Sequence, residues 1–155
     1  MRFFVSAPCH RYAHGPTMSR MQPATSFDEA AIARLVDHFY EKVRADPRIG
    51  PIFNAAVHDW DGHKRLLTSF WASVALRAGS YRGNPMAAHR PHPIRVEHFD
   101  HWLALWRETC AEELDEAHAA QMLEYARRIG SSLKLGLGLH PQARPFGVPI
   151  IGTSR

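Results

Sequence analysis

The chain has little that would suit it to an oxidising compartment or to a membrane. Only two cysteines occur in 155 residues, Cys9 and Cys110, and they form no C-x-x-C pair. A disulfide framework is therefore excluded, and a reducing cytoplasm is the expected compartment. No apolar run approaches the ~18 residues of a membrane span. The start, Met1-Arg2-Phe3-Phe4-Val5, breaks off at Ser6 and Pro8, short of the roughly 7–15 apolar residues of a secretory signal. The net charge is only +4, and the basic residues are scattered rather than gathered into tracts, so a solvated surface is favoured and no nucleic-acid partner is expected. No segment alternates with period two, and there is no internal repeat. Within residues 26–137 no H-x-x-x-H pair or carboxylate–histidine cluster appears, which argues against a helical protein built around a bare metal ion.

What is present is a helical pattern of single-domain length, with 45% hydrophobic residues. Residues 1–25 show no usable period and read as a disordered leader, or as sequence ahead of a true start at Met18 or Met21. Residues 138–155 are rich in glycine and proline and read as a flexible tail. Between them, Ser26-Phe27-Asp28-Glu29 fits a capping box that opens a helix at Ser26. Ile32, Leu35, Val36, Phe39, Tyr40 and Val43 give it one apolar face, and Asp46-Pro47 ends it. Gly50-Pro51-Ile52-Phe53 reads as a corner that points an aromatic inward. A second helix is expected over about Asp59 to Leu76, with Trp60, His63, Leu67, Phe70, Trp71 and Val74 on one face. A short piece around Met86 to His89 comes next. A third helix runs from about Val96, with Phe99, Trp102, Leu103, Trp106 and Cys110 facing in, and a fourth from about Asp115, with Met122, Ala126, Ile129 and Leu133. The fold class is all-α.

Of eleven histidines, His58, His98, His101 and His118 sit among charged residues and read as surface positions. His89 differs. It closes Tyr81-Arg82-Gly83-Asn84-Pro85-Met86-Ala87-Ala88-His89 and precedes Arg90-Pro91-His92-Pro93. A histidine on a stiff, proline-bounded segment between two aromatic helices suits ligation of a flat apolar cofactor. His92 is held extended by Pro93 and is expected to point outward. Tyr40, His63 and Trp102 are polar-tipped residues within apolar stripes, and buried O–H and N–H groups need partners. Taken singly, each is accounted for by a backbone carbonyl. Taken together, three donors from three helices fit a polar ligand at the centre of one void.

Six spaced pieces then share one resemblance. They are Phe39-Tyr40-Glu41-Lys42-Val43-Arg44 with Asp46, Gly50-Pro51-Ile52-Phe53-Asn54, Trp60-x-x-His63, Phe70-Trp71, Tyr81-x-Gly83-x-Pro85 with His89, and Phe99-x-x-Trp102-Leu103-x-Leu105-Trp106. In this order, residues 26–137 resemble a truncated haemoglobin of the third group; the double-glycine motifs of the first two groups are missing between Phe53 and Trp60. The resemblance implies a two-over-two helical sandwich enclosing haem b, with His89 as the proximal ligand of the iron and Phe53 packed on the porphyrin. It makes Tyr40, His63 and Trp102 the distal polar residues and Leu67 a distal wall. Phe39, Phe70, Phe99 and Trp102 are counted with them as cofactor contacts.

Neutral imidazole is a standard axial ligand that leaves the opposite face open to a diatomic gas. Dioxygen bound there draws negative charge, and hydrogen bonds to it are worth roughly 1.5–3 kcal/mol each. Two of them slow escape by roughly two to four orders of magnitude. So firm a hold suits redox chemistry on bound dioxygen, nitric oxide or peroxide, with an electron donor as partner, better than bulk oxygen transport. His63 can point at the iron or out through the pocket mouth, and a gating role is favoured. A haem-free helical sensor or interaction module is the competing reading; haem uptake by the purified protein separates the two.

Overall fold

The computed structural model describes residues 26–139, and the leader at 1–25 and most of the proposed tail lie outside them. Six helices follow in order: α1 (Glu29–Ala45), α2 (Gly50–Ala56), α3 (Trp60–Leu76), α4 (Pro85–His89), α5 (Val96–Glu113) and α6 (Glu116–Gly136). No strand occurs among the described residues.

Helix starts follow from short polar side chains that satisfy the free amides of a first turn. Asp59 accepts from Gly62 N at 2.9 Å, Asn84 from Ala87 N at 3.1 Å, and Asp115 from His118 N at 3.1 Å. The expected capping box at Ser26 does not form. Asp28 is the cap, accepting from Ala31 N at 2.9 Å, and the Ser26 hydroxyl donates to the Asp28 carboxylate instead. The shift has a simple cause: a carboxylate nearer the apolar stripe competes better for the helix amides than a hydroxyl two residues earlier. At the far end, Gly138 lies in the left-handed region, φ 71°, and Leu139 N donates to Lys134 O at 2.8 Å. This six-to-one closure ends α6, so Gly138, expected to open the tail, instead completes the helix terminus.

The corner expected at Gly50–Phe53 is a seven-residue helix. Pro51 costs it nothing, because its missing N–H falls in the first turn, where no helical acceptor exists. Gly50 is required by space: a Cβ there would lie 2.9 Å from Arg44 O, since α2 crosses directly over the last carbonyls of α1.

Helix α1 packs on α3, and α5 packs on α6 across the two-residue link Leu114–Asp115. Contacts of α1 with α5 and of α3 with α6 lay one pair over the other. The core is therefore the facing surfaces of the two pairs. Ile32, Leu35, Val36, Phe39 and Val43 from α1 meet Trp71, Trp106, Cys110, Met122 and Ala126, all fully or almost fully buried. Trp71, Trp102 and Trp106 stack at this junction, with ring centroids 4.5 Å apart for Trp71–Trp106 and planes within 21°. Trp106 meets its hydrogen-bond need by donating to Met122 O at 3.1 Å. Burial of such large rings supplies much of the driving force for association of the pairs.

Ion pairs tie the pairs together at their rims. Lys42 of α1 reaches Glu112 of α5 at 2.7 Å, and Lys64 of α3 reaches Asp37 and Glu41 of α1 at 2.6 Å each. Being solvent-exposed on the acidic side, each contributes little by itself. Asp46 is different, with only 12% of its side chain exposed. Its carboxylate accepts from Arg48 N and Ile49 N at 2.8 and 3.0 Å and from His101 Nε2 at 2.7 Å. His101 is thus no free surface residue; it fastens α5 to the α1–α2 turn. Burial pushes the Asp46 carboxyl up, but the bond from His101 and the two amides outweigh it, and the net shift is downward. A carboxyl with a lowered folded-state pKa stabilises above its ordinary range and loses that contribution as pH falls through the lowered value. Asp46→Ala should therefore cost about 1–3 kcal/mol at pH 7. The difference should persist down to about pH 4 and shrink below it. Urea midpoints of parent and variant across this range measure it, and equal midpoints at pH 7 would contradict the assignment.

Candidate functional site

The two helical pairs do not close completely. They leave a cavity of about 540 Å³ between α1, α2, α3 and the α5–α6 hairpin, roofed by the segment from Tyr81 to Ile94. Its volume is that of a small-molecule pocket, and its walls are mostly apolar. Of the residues singled out by sequence, Tyr40, Phe53, His63, Leu67, Phe70, His89, Phe99 and Trp102 all line it. Phe39 does not. It is fully buried in the solid core, edge-on to Tyr40, Trp102 and Trp106 at 4.8, 5.6 and 4.8 Å between ring centroids. Successive residues on a helix point about 100° apart, so Phe39 backs the residue beside it, Tyr40, which faces the cavity.

His89 is placed by α4. Asn84 caps that helix and Pro85 opens it. The approach to it is tethered to α3, with Tyr81 N donating to Ser73 Oγ at 3.0 Å and the Tyr81 ring edge-on to Phe70. His89 Nδ1 lies 2.5 Å from Pro85 O. A carbonyl can only accept, so Nδ1 carries the proton and Nε2 is the bare nitrogen. The ring is thereby fixed in one tautomer with its lone pair free on a cavity-lining residue.

The polar tips line the same cavity. Tyr40 is buried, and burial raises its pKa steeply, while the indole N–H of Trp102 acts on the phenol oxygen in the opposite sense. The phenol therefore remains protonated and able to donate throughout the physiological range. His63 is gripped between two rings, edge-on to Tyr40 at 5.6 Å and to Trp60 at 5.7 Å, and the Arg44 guanidinium covers Trp60 from outside at 5.0 Å.

Three histidines that the sequence reading sent to the surface also line the cavity: His58, His92 and His98. His58 is exposed at the mouth, while the other two are half-buried. Pro93 does not turn His92 outward. The His92 N–H donates back to His89 O at 3.2 Å, and that turn keeps His92 beside α4 on the cavity wall. His98 accepts from Arg95 N at 3.0 Å at the start of α5. Its spacing of four from Trp102, on the same helical face, is the signal that marks it. Ile49, Ile52, Tyr81 and Gly130 complete walls that motif spacing alone did not indicate.

Residues 28–130 match the bacterial-like globin family. The chain belongs to the truncated haemoglobins. It is 36% identical over 111 residues to the group 3 truncated hemoglobin ctb of Campylobacter jejuni, covering 68% of this chain and 87% of that protein. The crystal structure of the group III truncated hemoglobin from Campylobacter jejuni superimposes with a TM-score of 0.69 at 34% identity, covering 76% of this chain and 94% of that one. The group 2 truncated hemoglobin YjbI of Bacillus subtilis is 33% identical over 89 residues, 56% of this chain and 67% of its own length. The two-over-two helical sandwich is thus the globin sandwich, and haem iron is the cofactor of this globin, which binds small diatomic ligands. The residues fit that group: apolar walls for the porphyrin, an imidazole with a free Nε2, and hydrogen-bond donors in the same cavity.

In this globin the pKa of His63 is lowered, first by burial and then by the neighbouring His89. Both penalise the imidazolium, so the ring should stay neutral as pH falls through 6.5 and take up a proton only below that value. NMR titration of the ring in the diamagnetic, carbon monoxide-bound protein should give a midpoint under 6.5. A midpoint at or above 6.5 would mean that the ring is solvated.

Proposed function

We propose that this globin carries out redox chemistry on its bound ligand, with nitric oxide oxidation by bound dioxygen first and peroxide handling second, rather than bulk oxygen transport. The observation that carries the reading is the bond from His89 Nδ1 to Pro85 O, which leaves Nε2 free to hold the iron in a cavity that Tyr40, Trp102 and His63 also line. Haem held there supplies an iron that binds a diatomic ligand and passes electron density to it.

The chain's own residues do the rest. Phe53 and Phe99 line the cavity and would hold the porphyrin, and Leu67 would wall the side where the ligand binds. Tyr40 donates its O–H to the ligand, and Trp102 turns its single N–H from the Tyr40 oxygen to the same ligand once it is bound; burial makes each bond stronger than in water. His63, held by rings on two sides, gates access from the mouth. Two directed donors hold a negatively polarised ligand too long for a carrier that must unload, yet long enough for a second reactant to reach it. An electron donor of unspecified kind must then return the iron to its ferrous form.

The experiment is rapid mixing of the oxygenated protein with nitric oxide. Fast oxidation to the ferric form supports the proposal; slow oxidation, with oxygen released intact, favours a carrier. Tyr40→Phe and Trp102→Phe should each raise the oxygen dissociation rate about tenfold or more. Their combined effect should be less than additive, because both address one ligand. Unchanged rates in both single variants would remove them from the distal site.

His89→Ala should abolish haem retention, while His92→Ala should leave it nearly intact. His92 borders the cavity too, so equal loss in the two variants would mean that the axial ligand has been misassigned.

A further inference from the structure

Helix α4 carries His89 but has only five residues, far too few to be stable alone. Among the described helices it packs on α6 and on no other. Its bond from His89 Nδ1 to Pro85 O makes helix and imidazole one unit, so whatever locates α4 locates Nε2. Ala87 and Ala88 are exposed, and Met86 is the only long apolar side chain the helix offers. It lies over Gly136 in the last turn of α6, where a Cβ would fall 2.8 Å from the Met86 sulfur and nearer still to its methyl.

Nothing in the backbone demands glycine at 136. Its φ is not positive, and glycine inside a helix costs roughly 0.5–1 kcal/mol relative to alanine. Space is the remaining reason: Gly136 is a notch cut for Met86. The same helix supplies Ile129, Gly130 and Leu133 to the cavity wall, so the notch continues a face that already borders the cofactor.

The geometry points to Met86 and Gly136 as positioning residues that dock α4 on α6 and thereby set the position of His89 relative to the haem iron. The inference rests on His89 as the axial ligand. Outer groups that orient a metal ligand commonly change metal affinity or activity roughly 10–100-fold when altered. Here the lever is the packing of a flexible thioether, which yields readily, and the effect should lie at the low end of that range.

The test is resonance Raman spectroscopy of the ferrous, ligand-free protein, reading the iron–histidine stretching band, together with oxygen dissociation rates. Met86→Ala loosens the dock and Gly136→Ala fills the notch. Each should shift the band and change the dissociation rate by about tenfold or less. Met86→Leu, which conserves volume, should restore the parent band. In the double variant Met86→Ala/Gly136→Ala, the new methyl enters the room the thioether vacated, so the band should lie closer to the parent's than in Gly136→Ala alone. Gly136→Ala improves helix propensity, so the variant should fold. A band unmoved in both single variants, or shifts that simply add in the double variant, would overturn the proposal. His89→Ala separates the two levels. A band that survives it refutes His89 as the ligand and the dock with it. A band that needs His89 but ignores positions 86 and 136 refutes the dock alone.

Discussion

An apolar cavity of about 540 Å³ inside a domain of this size is a constraint that everything else in the structure answers to. Protein interiors are packed to crystal density, and an unfilled hole forfeits the dispersion contacts of every side chain around it. The walls here are long and apolar, drawn from all six helices, and no single side chain could collapse into the space. A flat apolar cofactor restores those contacts, so haem is part of the core as well as the seat of the chemistry. The solid half of the core, built on the stacked Trp71, Trp102 and Trp106, must then hold the helical pairs apart at a fixed distance. Stability and binding are served by the same rings, and Trp102 belongs to both.

The polar groups are arranged against the same constraint. A buried donor without a partner costs roughly 1–3 kcal/mol, so tyrosine, tryptophan and histidine tips are not placed on a cavity wall without compensation. Trp102 directs its single N–H at the Tyr40 oxygen, which leaves the Tyr40 O–H and the His63 ring on the cavity wall. At His89 the compensation is complete at Nδ1 and absent at Nε2. This asymmetry between a satisfied and a bare nitrogen is what the proposed reading uses in assigning the metal bond to His89.

Much of this was legible in the residues alone. The order of the four long helices, the aspartate at Asp115 and the break at Asp46-Pro47 follow from short-range chemistry, and the spaced motifs indicated the family; the helix at Gly50–Ala56, expected only as a corner, did not. Local errors were also short-range, as where Asp28 displaced Ser26 as the cap. The roles of Asp46 and His101 were not legible, because a pair separated by fifty-five positions has no local signature.

By itself the sequence determined which residues share a helical face, since a period of 3.6 and the preferences of caps, glycine and proline act within a few residues. Tertiary structure alone decided what each part of that face meets. Phe39 and Tyr40 are neighbours on one apolar stripe, yet Phe39 closes the solid core while Tyr40 faces the cavity. His92 reads as turned outward by Pro93, yet it stays beside α4 on the cavity wall. The physical reason is common to both cases. A stripe specifies burial, whereas the choice between a packed ring and an open space depends on where the other helix pair comes to rest.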